Sequence, residues 1–507
     1  MLVIRGHSFE CFCEECNFAT HIQDKIFRTE VKQIFRTLVK FFRTNTMYDT
    51  KDTIAALSTP MGIGGIAVIR ISGEQSIKIA DAVFRGSVRL NTVHTHTVHY
   101  GKIIDTIHDS FIDTALVTVF HHPHSYTGED IVEISAHGGY YVSQQILNAL
   151  YKAGASPARP GEFTFRAYLN GKLDLSQAEA VSDIIHSRTE KSHYASLEQL
   201  NGKLSKQIND LRKDILNLCA LMELELDFSQ EGIELIENDQ SLKRINDVES
   251  KIQMLIDSYT TGKMTREGVK VTLVGKPNAG KSSLLNILLE EDRAIVSEIP
   301  GTTRDIIEES IILGGVEFVF IDTAGLRESD DKVEKEGIRR SIHNLQKSDL
   351  VLFVVDSSFP FSPDDVIMYQ EIIDSLRKEV HPIFVINKVD IRNEQFDITK
   401  FPADSVEISC VSHIGINNLK ELLLKVAIPN YDSISSSVII TNVRHKDALL
   451  KAQNSLRIAK QSIINCMSGE FVAVDLRDTL NYLGEIIGLT TPDDILNNIF
   501  SKFCIGK

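Results

Sequence analysis

The chain lacks several things, and each absence narrows what it does. Its apolar runs, such as "VLFVV" at 351–355, fall far short of the roughly 20 residues a bilayer-spanning helix needs. A transmembrane helix is excluded, and no membrane partner is expected. Cysteine is sparse, seven in 507 residues, which argues against a disulfide scaffold and for a reducing, cytoplasmic setting. Positive charge is in deficit: 54 Lys and Arg against 69 Asp and Glu leave −15. Such a surface does not draw in a phosphodiester backbone, so tight unaided binding to nucleic acid is not expected. Proline is missing altogether between Pro160 and Pro277, a span rich in Leu, Glu, Lys, Gln and Ala. What remains is ordinary, 43% hydrophobic and 24% charged, as in a soluble globular protein. Single cores rarely grow past roughly 250–300 residues, so more than one domain is expected.

Residues 1–46 read differently from the rest. "CFCEEC" brings Cys11, Cys13 and Cys16 close together near His7, yet the spacing fits no common zinc pattern and no second half-site follows. From Ile22 to Arg43, Lys25, Arg28, Lys32, Arg36, Lys40 and Arg43 alternate with Ile, Phe and Leu. That is the composition of a basic amphipathic helix or a transit-like leader. The favoured reading makes Met47 the start and 1–46 an upstream extension.

From Thr53 to about Phe165 the pattern is mixed α+β. "TIAALSTP", "GGIAVIRISG" and "FIDTALVTVF" read as strands, and "GGYYVSQQILNALYKAG" as an amphipathic helix closed by Gly154. His94, His96, His99, His121, His122, His124 and His137 crowd this stretch. "HTHTVH" alternates as a strand face does and no carboxylate keeps ligand spacing with it, so these histidines read as exposed or structural. Apolar residues recur at helical spacing in "LSKQINDLRKDILNLCALMELEL" and "SLKRINDVESKIQMLIDSY", and again after Pro429. Two helical stretches, 167–267 and 429–507, thus flank 268–428. One helical domain built from both, with a further domain inserted, is the economical arrangement.

The insert carries legible chemistry. "VKVTLVG" is a buried strand, and Gly275 to Ser282 matches G-x-x-x-x-G-K-[ST] between that strand and a helix. Gly275 and Gly280 let the backbone wrap phosphates, and the amides of Asn278, Ala279 and the helix start, through Ser283, point at them. Lys281 reaches the outer phosphates and the Ser282 hydroxyl faces Mg²⁺. Thr302 and Thr303 of "IVSEIPGTTRD" fall in the loop expected to close over the metal. That loop also brings Glu298, Pro300 and Gly301 to the nucleotide. "IDTAGL" supplies Asp322 for the Mg²⁺ water shell, then Thr323, Ala324 and Gly325, whose amide senses the terminal phosphate. "PIFVINKVD" delivers Asn387, Lys388 and Asp390, and "VEISC" delivers Ser409 and Cys410. An aspartate that accepts two guanine N–H groups selects GTP over ATP. Strands alternating with helices imply a doubly wound, mostly parallel P-loop G domain with its site at the carboxyl edge. One residue is missing: where many GTP hydrolases hold a water-orienting glutamine, this chain has Leu326.

"GKPNAGKSSLLN", "PGTTRD", "DTAGLRES", "VEKEGIRRS", "NKVD" and "FCIGK" resemble the tRNA-modification GTPase family MnmE, also called TrmE. So do "YTGED", "AHGG" and "RPGEFTFRAYLNGKLDLSQAEAV", from about residue 47 to Lys507. The resemblance implies a potassium ion beside the phosphates, held by Asn278, Ser297, the Ile299 carbonyl and Thr302, with Mg²⁺ on Ser282 and Thr303. Ser297 departs from a more usual threonine but keeps an oxygen. Glu334 in "VEKEG" would serve the attacking water in place of the absent glutamine. By charge pattern alone, Glu334 is equally a solvated residue. The resemblance further implies a folate-binding amino-terminal domain, 47–166, with Arg70, Glu133 and Lys172 on a 5-formyl or 5,10-methylene tetrahydrofolate. It implies a homodimer whose G domains meet during hydrolysis. It also implies an MnmG-like FAD partner, in a heterotetramer or larger, through which tRNA is reached and its wobble uridine modified at C5. Cys504 in the tail is a nucleophile or activator on this reading, and an ordinary thiol on the other. Cys410 stands where alanine is more usual, leaving its backbone amide for the base. Rival classes are a ribosome-assembly or signalling switch, which predicts a basic RNA-binding appendage, and a scaffold that uses GTP structurally.

Overall fold

The computed structural model describes residues 51–227, 238–292, 309–321, 345–346, 348–377, 380–398, 401, 405–428 and 438–507. These fall into two compact units. The first holds 51–125 with Glu129–Glu162 and Asp493–Lys507, and the second Tyr126–Gly128 with Phe163–Pro492. Cys11, Cys13, Cys16 and the basic segment of the amino-terminal extension lie outside the described residues. No described helix is long and apolar enough to cross a membrane.

In the first unit, strands β1 (Ile54–Leu57), β2 (Gly64–Ser72), β3 (Phe84–Gly86), β4 (Thr97–Asp105), β5 (Ser110–Phe120), β6 (Ile131–Gly138) and β7 (Ser156–Pro157) form one sheet. Its order is β3-β4-β5-β6-β2-β1-β7. Alternate residues Ile69, Ile71, Val117, Val119, Val132 and Ile134 are buried against helices α1 (Ser76–Val83) and α2 (Tyr140–Lys152). The period of two puts Arg70 and Glu133 on the opposite face, directly across from each other in the β2–β6 register. The α+β expectation and the placing of these strands and of α2 hold.

The carboxyl-terminal tail was expected within the helical domain. Its helix Asp493–Ser501 and the residues after it group with the first unit instead. Phe500 and Phe503 are buried there, and the Gly506 carbonyl accepts from Ser58 Oγ at 3.2 Å.

The second unit contains the helices α3 (Glu162–Leu169), α4 (Leu175–His186), α5 (Glu190–Leu200), α6 (Lys203–Asp227), α7 (Asn238–Asp257) and α8 (Tyr259–Glu267). After the insert come α9 (Val443–Ile464) and α10 (Gly469–Ile487). Asp174 starts α4 with a reciprocal capping box to Gln177. Apolar faces from both segments share one core: Leu204, Ile208, Leu211 and Ile215 of α6 with Leu449, Leu456, Leu476 and Leu483. The helical domain is therefore made of two chain segments, as the sequence implied.

Where the insert leaves and rejoins, the chain runs close. A Cβ added to Gly262 would overlap the Ile440 carbonyl, and Ile440 N donates to Ser258 Oγ at 3.0 Å. Beside this crossing sits a buried charged network. Glu179 on α4 accepts from Arg444 at 2.8 and 3.0 Å and pairs with His445 at 2.7 Å, while Asn442 reaches it at 3.1 Å. Arg444 also donates to the Glu485 and Ile486 carbonyls.

The insert's strands are β8 (Val269–Val274), β9 (Glu309–Leu313), β10 (Val316–Phe320), β11 (Leu350–Asp356), β12 (His381–Asn387) and β13 (Ser405–Glu407). Their order is β13-β12-β11-β8-β10-β9, parallel except for the β9–β10 hairpin. Strand β11 is apolar from Leu350 to Val355 because both its faces are covered. Leu350, Leu352 and Val354 join one core with α11 (Lys281–Asp292) and α12 (Ile416–Ala427). Val351, Phe353 and Val355 join a second with Tyr369 of α13 (Pro363–Ser375). This is the doubly wound fold expected.

Burial works to raise the Glu179 carboxyl, but Arg444 and His445 outweigh it and hold it at about 2 against an ordinary 4.5. Burial lowers the His445 imidazole below its ordinary 6.5. In both cases the unfolded chain takes up protons more readily, so stability falls with pH, first below 6.5 and then from 4.5 toward 2. Neighbouring Asp183 runs the other way, its carboxyl raised by burial and only partly offset by Arg266. Glu179→Gln should therefore lower the urea midpoint at neutral pH and flatten its decline below about pH 4.5, measured by circular dichroism across pH.

Candidate functional site

The loop between β8 and α11 turns on left-handed backbone at Asn278 (φ 65°) and Gly280 (φ 99°), with Gly275 extended at φ 155°. Asn278 and Ser283 are exposed, while Ala279 is buried. The Lys281 ammonium donates to the Gly275 and Lys276 carbonyls at 2.7 and 2.9 Å, and burial lowers it. The lysine thus folds over its own loop, where an anion would compete for it. Ser282 is the second residue of α11.

At the carboxyl end of β12, Asn387 is buried and makes two cross-links. Its Nδ2 donates to the Ala279 carbonyl at 2.9 Å, and its Oδ1 accepts from the Cys410 amide at 3.3 Å. The phosphate loop and the "SC" loop are tied through one side chain. The Cys410 amide, expected to be free for the base, is shared with that tie, and burial pushes its thiol up to about 11. Ser409 is buried, its N–H donating to Ile414 and its hydroxyl meeting that of Ser412 at 3.0 Å. Lys388 has left-handed backbone (φ 63°) and pairs with Asp356 at 2.6 Å, and Asp390 is exposed in the short turn Val389–Ile391.

The structure therefore gathers Gly275, Asn278, Ala279, Gly280, Lys281, Ser282, Asn387, Lys388, Asp390, Ser409 and Cys410 at the carboxyl edge of one sheet. Ser297, Glu298, Ile299, Pro300, Gly301, Thr302 and Thr303 lie outside the described residues, as do Asp322, Thr323, Ala324, Gly325, Leu326 and Glu334.

In the first unit Arg70 meets one Glu133 oxygen with two nitrogens, at 2.9 and 2.8 Å, and extends toward the Gly506 carbonyl at 3.5 Å. Lys507 stands beside both, its ammonium lowered by burial and by Arg70. Sequence reading passed over Lys507, although it closes the quoted "FCIGK". Its proximity to Arg70 spans nearly the whole chain and no local pattern carries it. Cys504 is exposed, with its carbonyl accepting from Gly161 and Lys507 amides. Lys172 belongs to the second unit, its stem against Gly128. Among the described residues no three His, Cys, Asp or Glu side chains are placed to hold a metal.

A parallel sheet, a lysine-bearing phosphate loop after its first strand and an N-K-x-D turn define a P-loop GTPase of the G-domain class. Wider comparison narrows the class. The family described as MnmE helical domain matches residues 175–504, and that described as GTP-binding protein TrmE N-terminus matches 53–172. A protein of Carboxydothermus hydrogenoformans named tRNA modification GTPase MnmE is 42% identical over 464 residues, covering 90% of this chain and 100% of its own. One of Geotalea uraniireducens with the same name is 43% identical over 459 residues, covering 90% and 99%. Among solved structures, the G domain of the T. maritima FeoB iron transporter covers 31% of this chain and 98% of its own at 30% identity, with a TM-score of 0.24. The chain belongs to the MnmE family.

A Cβ at Gly280 would overlap Asn387 Nδ2 on left-handed backbone. Gly280→Ala must break the tie to Ala279 or shift the loop. Affinity for a fluorescent GDP analogue, read by equilibrium titration, should fall at least about tenfold.

Proposed function

We propose that this member of the MnmE family, a GTPase of tRNA modification, hydrolyses GTP with potassium and Mg²⁺. In concert with an MnmG-like flavoprotein it installs a carboxymethylaminomethyl-type group at C5 of the wobble uridine. The observation that carries the GTP reading is Asn387 joining the phosphate loop to the base-side loop. Asp390, exposed beyond it, is free to accept the two guanine N–H groups.

Potassium and Mg²⁺ would each find hard oxygen donors. Asn278 sits exposed on left-handed backbone in the phosphate loop. With Ser297, the Ile299 carbonyl and Thr302, the partners that the family resemblance implies, it would offer an alkali cation oxygen donors only. Ser282 and Thr303 hydroxyls suit Mg²⁺. The cations supply charge neutralisation at the phosphates. Asp322 would serve the Mg²⁺ water shell, and the Gly325 amide would read the terminal phosphate. Glu334 orients the attacking water, a task Leu326 has no polar atom to perform.

The folate reading is supported by the Arg70–Glu133 pair on the sheet face away from α1 and α2, with Lys507 alongside. Two cations and a carboxylate there match an anionic glutamate tail and pterin N–H groups. Lys172 completes the set of three, with Arg70 and Glu133, that the family resemblance implies for this reading. Homodimerisation, reach to tRNA through the flavoprotein and a chemical role for Cys504 complete it. The overall negative charge favours tRNA contact through a partner rather than directly. It argues against an assembly factor with its own basic appendage.

Two measurements test this. GTP turnover should be steady in KCl, weak in NaCl, and at least about 100-fold lower in Glu334→Ala with GTP affinity kept. A rate indifferent to both changes rejects the water and cation assignments. Calorimetry of 5-formyltetrahydrofolate on the full chain should give binding heat that Arg70→Ala abolishes. Wobble nucleosides from cells carrying only Arg70→Ala should lack the C5 group by mass spectrometry, and unchanged modification rejects the folate role.

A further inference from the structure

The turn that ends β11 has no part in the reading above, yet Ser357 and Asp356 bond it to the base-side loop. Asp356 and Asn387 are partners in the β11–β12 register. The Ser357 amide and hydroxyl both donate to the Asn387 carbonyl, at 3.0 and 2.7 Å. The two Asp356 oxygens divide their duties. Oδ1 accepts from the Ser358 amide and hydroxyl at 2.9 and 2.5 Å, and Oδ2 takes the Lys388 ammonium at 2.6 Å. The Asp356 carboxylate is 16% exposed and the Lys388 side chain 30%, so water screens the pair only in part.

Lys388 needs such a hold. Its backbone, at φ 63° and ψ 37°, is in the left-handed region, which is unfavourable for a residue with a side chain. Asp390 follows two residues later in the same turn, so whatever fixes Lys388 fixes the aim of Asp390. We propose that Asp356 is a positioning residue for guanine-nucleotide binding, its Oδ2 anchoring the Lys388 ammonium so that the left-handed turn presents Asp390 to the base. The inference rests on the reading of Lys388 and Asp390 as the base site. Burial works against the charged carboxyl, but the Lys388 and Ser358 bonds outweigh it and hold Asp356 below its ordinary range, so the pair is ionic at neutral pH.

The competing role is local: Asp356 merely caps its own turn through Ser358. Asp356→Asn separates the two, since an amide oxygen still accepts from Ser358 while the ion pair is gone. With the full chain in KCl, Asp356→Asn and Asp356→Ala should each raise KM for GTP about tenfold while kcat at saturation stays within about twofold. Lys388→Ala should do the same, and the double variant Asp356→Ala, Lys388→Ala should be no worse than either alone. A wild-type KM in Asp356→Asn, or additive losses in the double variant, overturns the proposal. Asp390→Asn provides the control, because exchanging the acceptor should move preference from GTP to xanthosine triphosphate. If that exchange fails, the base-site reading falls and the proposal with it. If it succeeds while Asp356→Asn behaves as wild type, only the proposal falls.

Discussion

Two hydrogen bonds of Asn387, one given to Ala279 and one taken from Cys410, join loops that lie 131 residues apart in sequence. Because that side chain is buried, each bond is shielded from water, and losing either leaves a polar atom without compensation. The phosphate loop therefore has a defined relation to the guanine side before any ligand arrives. Gly280 has to be glycine for the amide to come so near, and Ser357 holds the Asn387 backbone from behind. Preorganisation of this kind spares the nucleotide the cost of ordering the site.

The frame that carries the insert is held by a different interaction. Glu179, Arg444 and His445 come from opposite ends of the second unit's sequence, and Glu179 and His445 are buried with the half-buried Arg444 against them. Removing one member would strand a charge in a dry setting, which makes such a network costly to break even where an apolar core would serve stability equally well. Asp183 extends it to Arg266 on α8, the last helix before the insert, and Lys263 reaches Asp349 at 3.2 Å just before β11. Arg188 adds a bond of 2.9 Å to Glu317 on β10. Helical frame and nucleotide-binding sheet thus meet through ion pairs at the sheet's amino-terminal side, away from the phosphate loop.

What was legible in the sequence was whatever depends on neighbours along the chain. The loop at Gly275–Ser282 announces itself because glycine, lysine and serine must fall at fixed offsets, and β11 because a strand covered on both faces is apolar without a break. The helical segments show in their spacing and in the missing proline. What stayed hidden depends on register or on distant contact. Arg70 and Glu133 are two charges in two strands until the antiparallel pairing sets them opposite. Glu179 sits in "LSQAEAV", where a glutamate on an amphipathic helix ordinarily faces water. Asp356 follows an apolar run and reads as its solvent-facing end, though Lys388, just after β12, is its cation. The tail from Asp493 carries a short helix, and nothing within its sequence tells that Phe500 and Phe503 are buried in the first unit.

That tail sets an order of events during synthesis. The first unit's sheet is complete once residue 157 is made, yet the segment that buries Phe500 and brings Gly506 to Ser58 comes more than 300 residues later. At a ribosomal pace of about 5–20 residues per second, the sheet waits tens of seconds with that surface bare. The helices and the nucleotide-binding insert are synthesised in the interval. A nascent chain that stalls anywhere before Asp493 would lack the helix that buries Phe500 in the first unit.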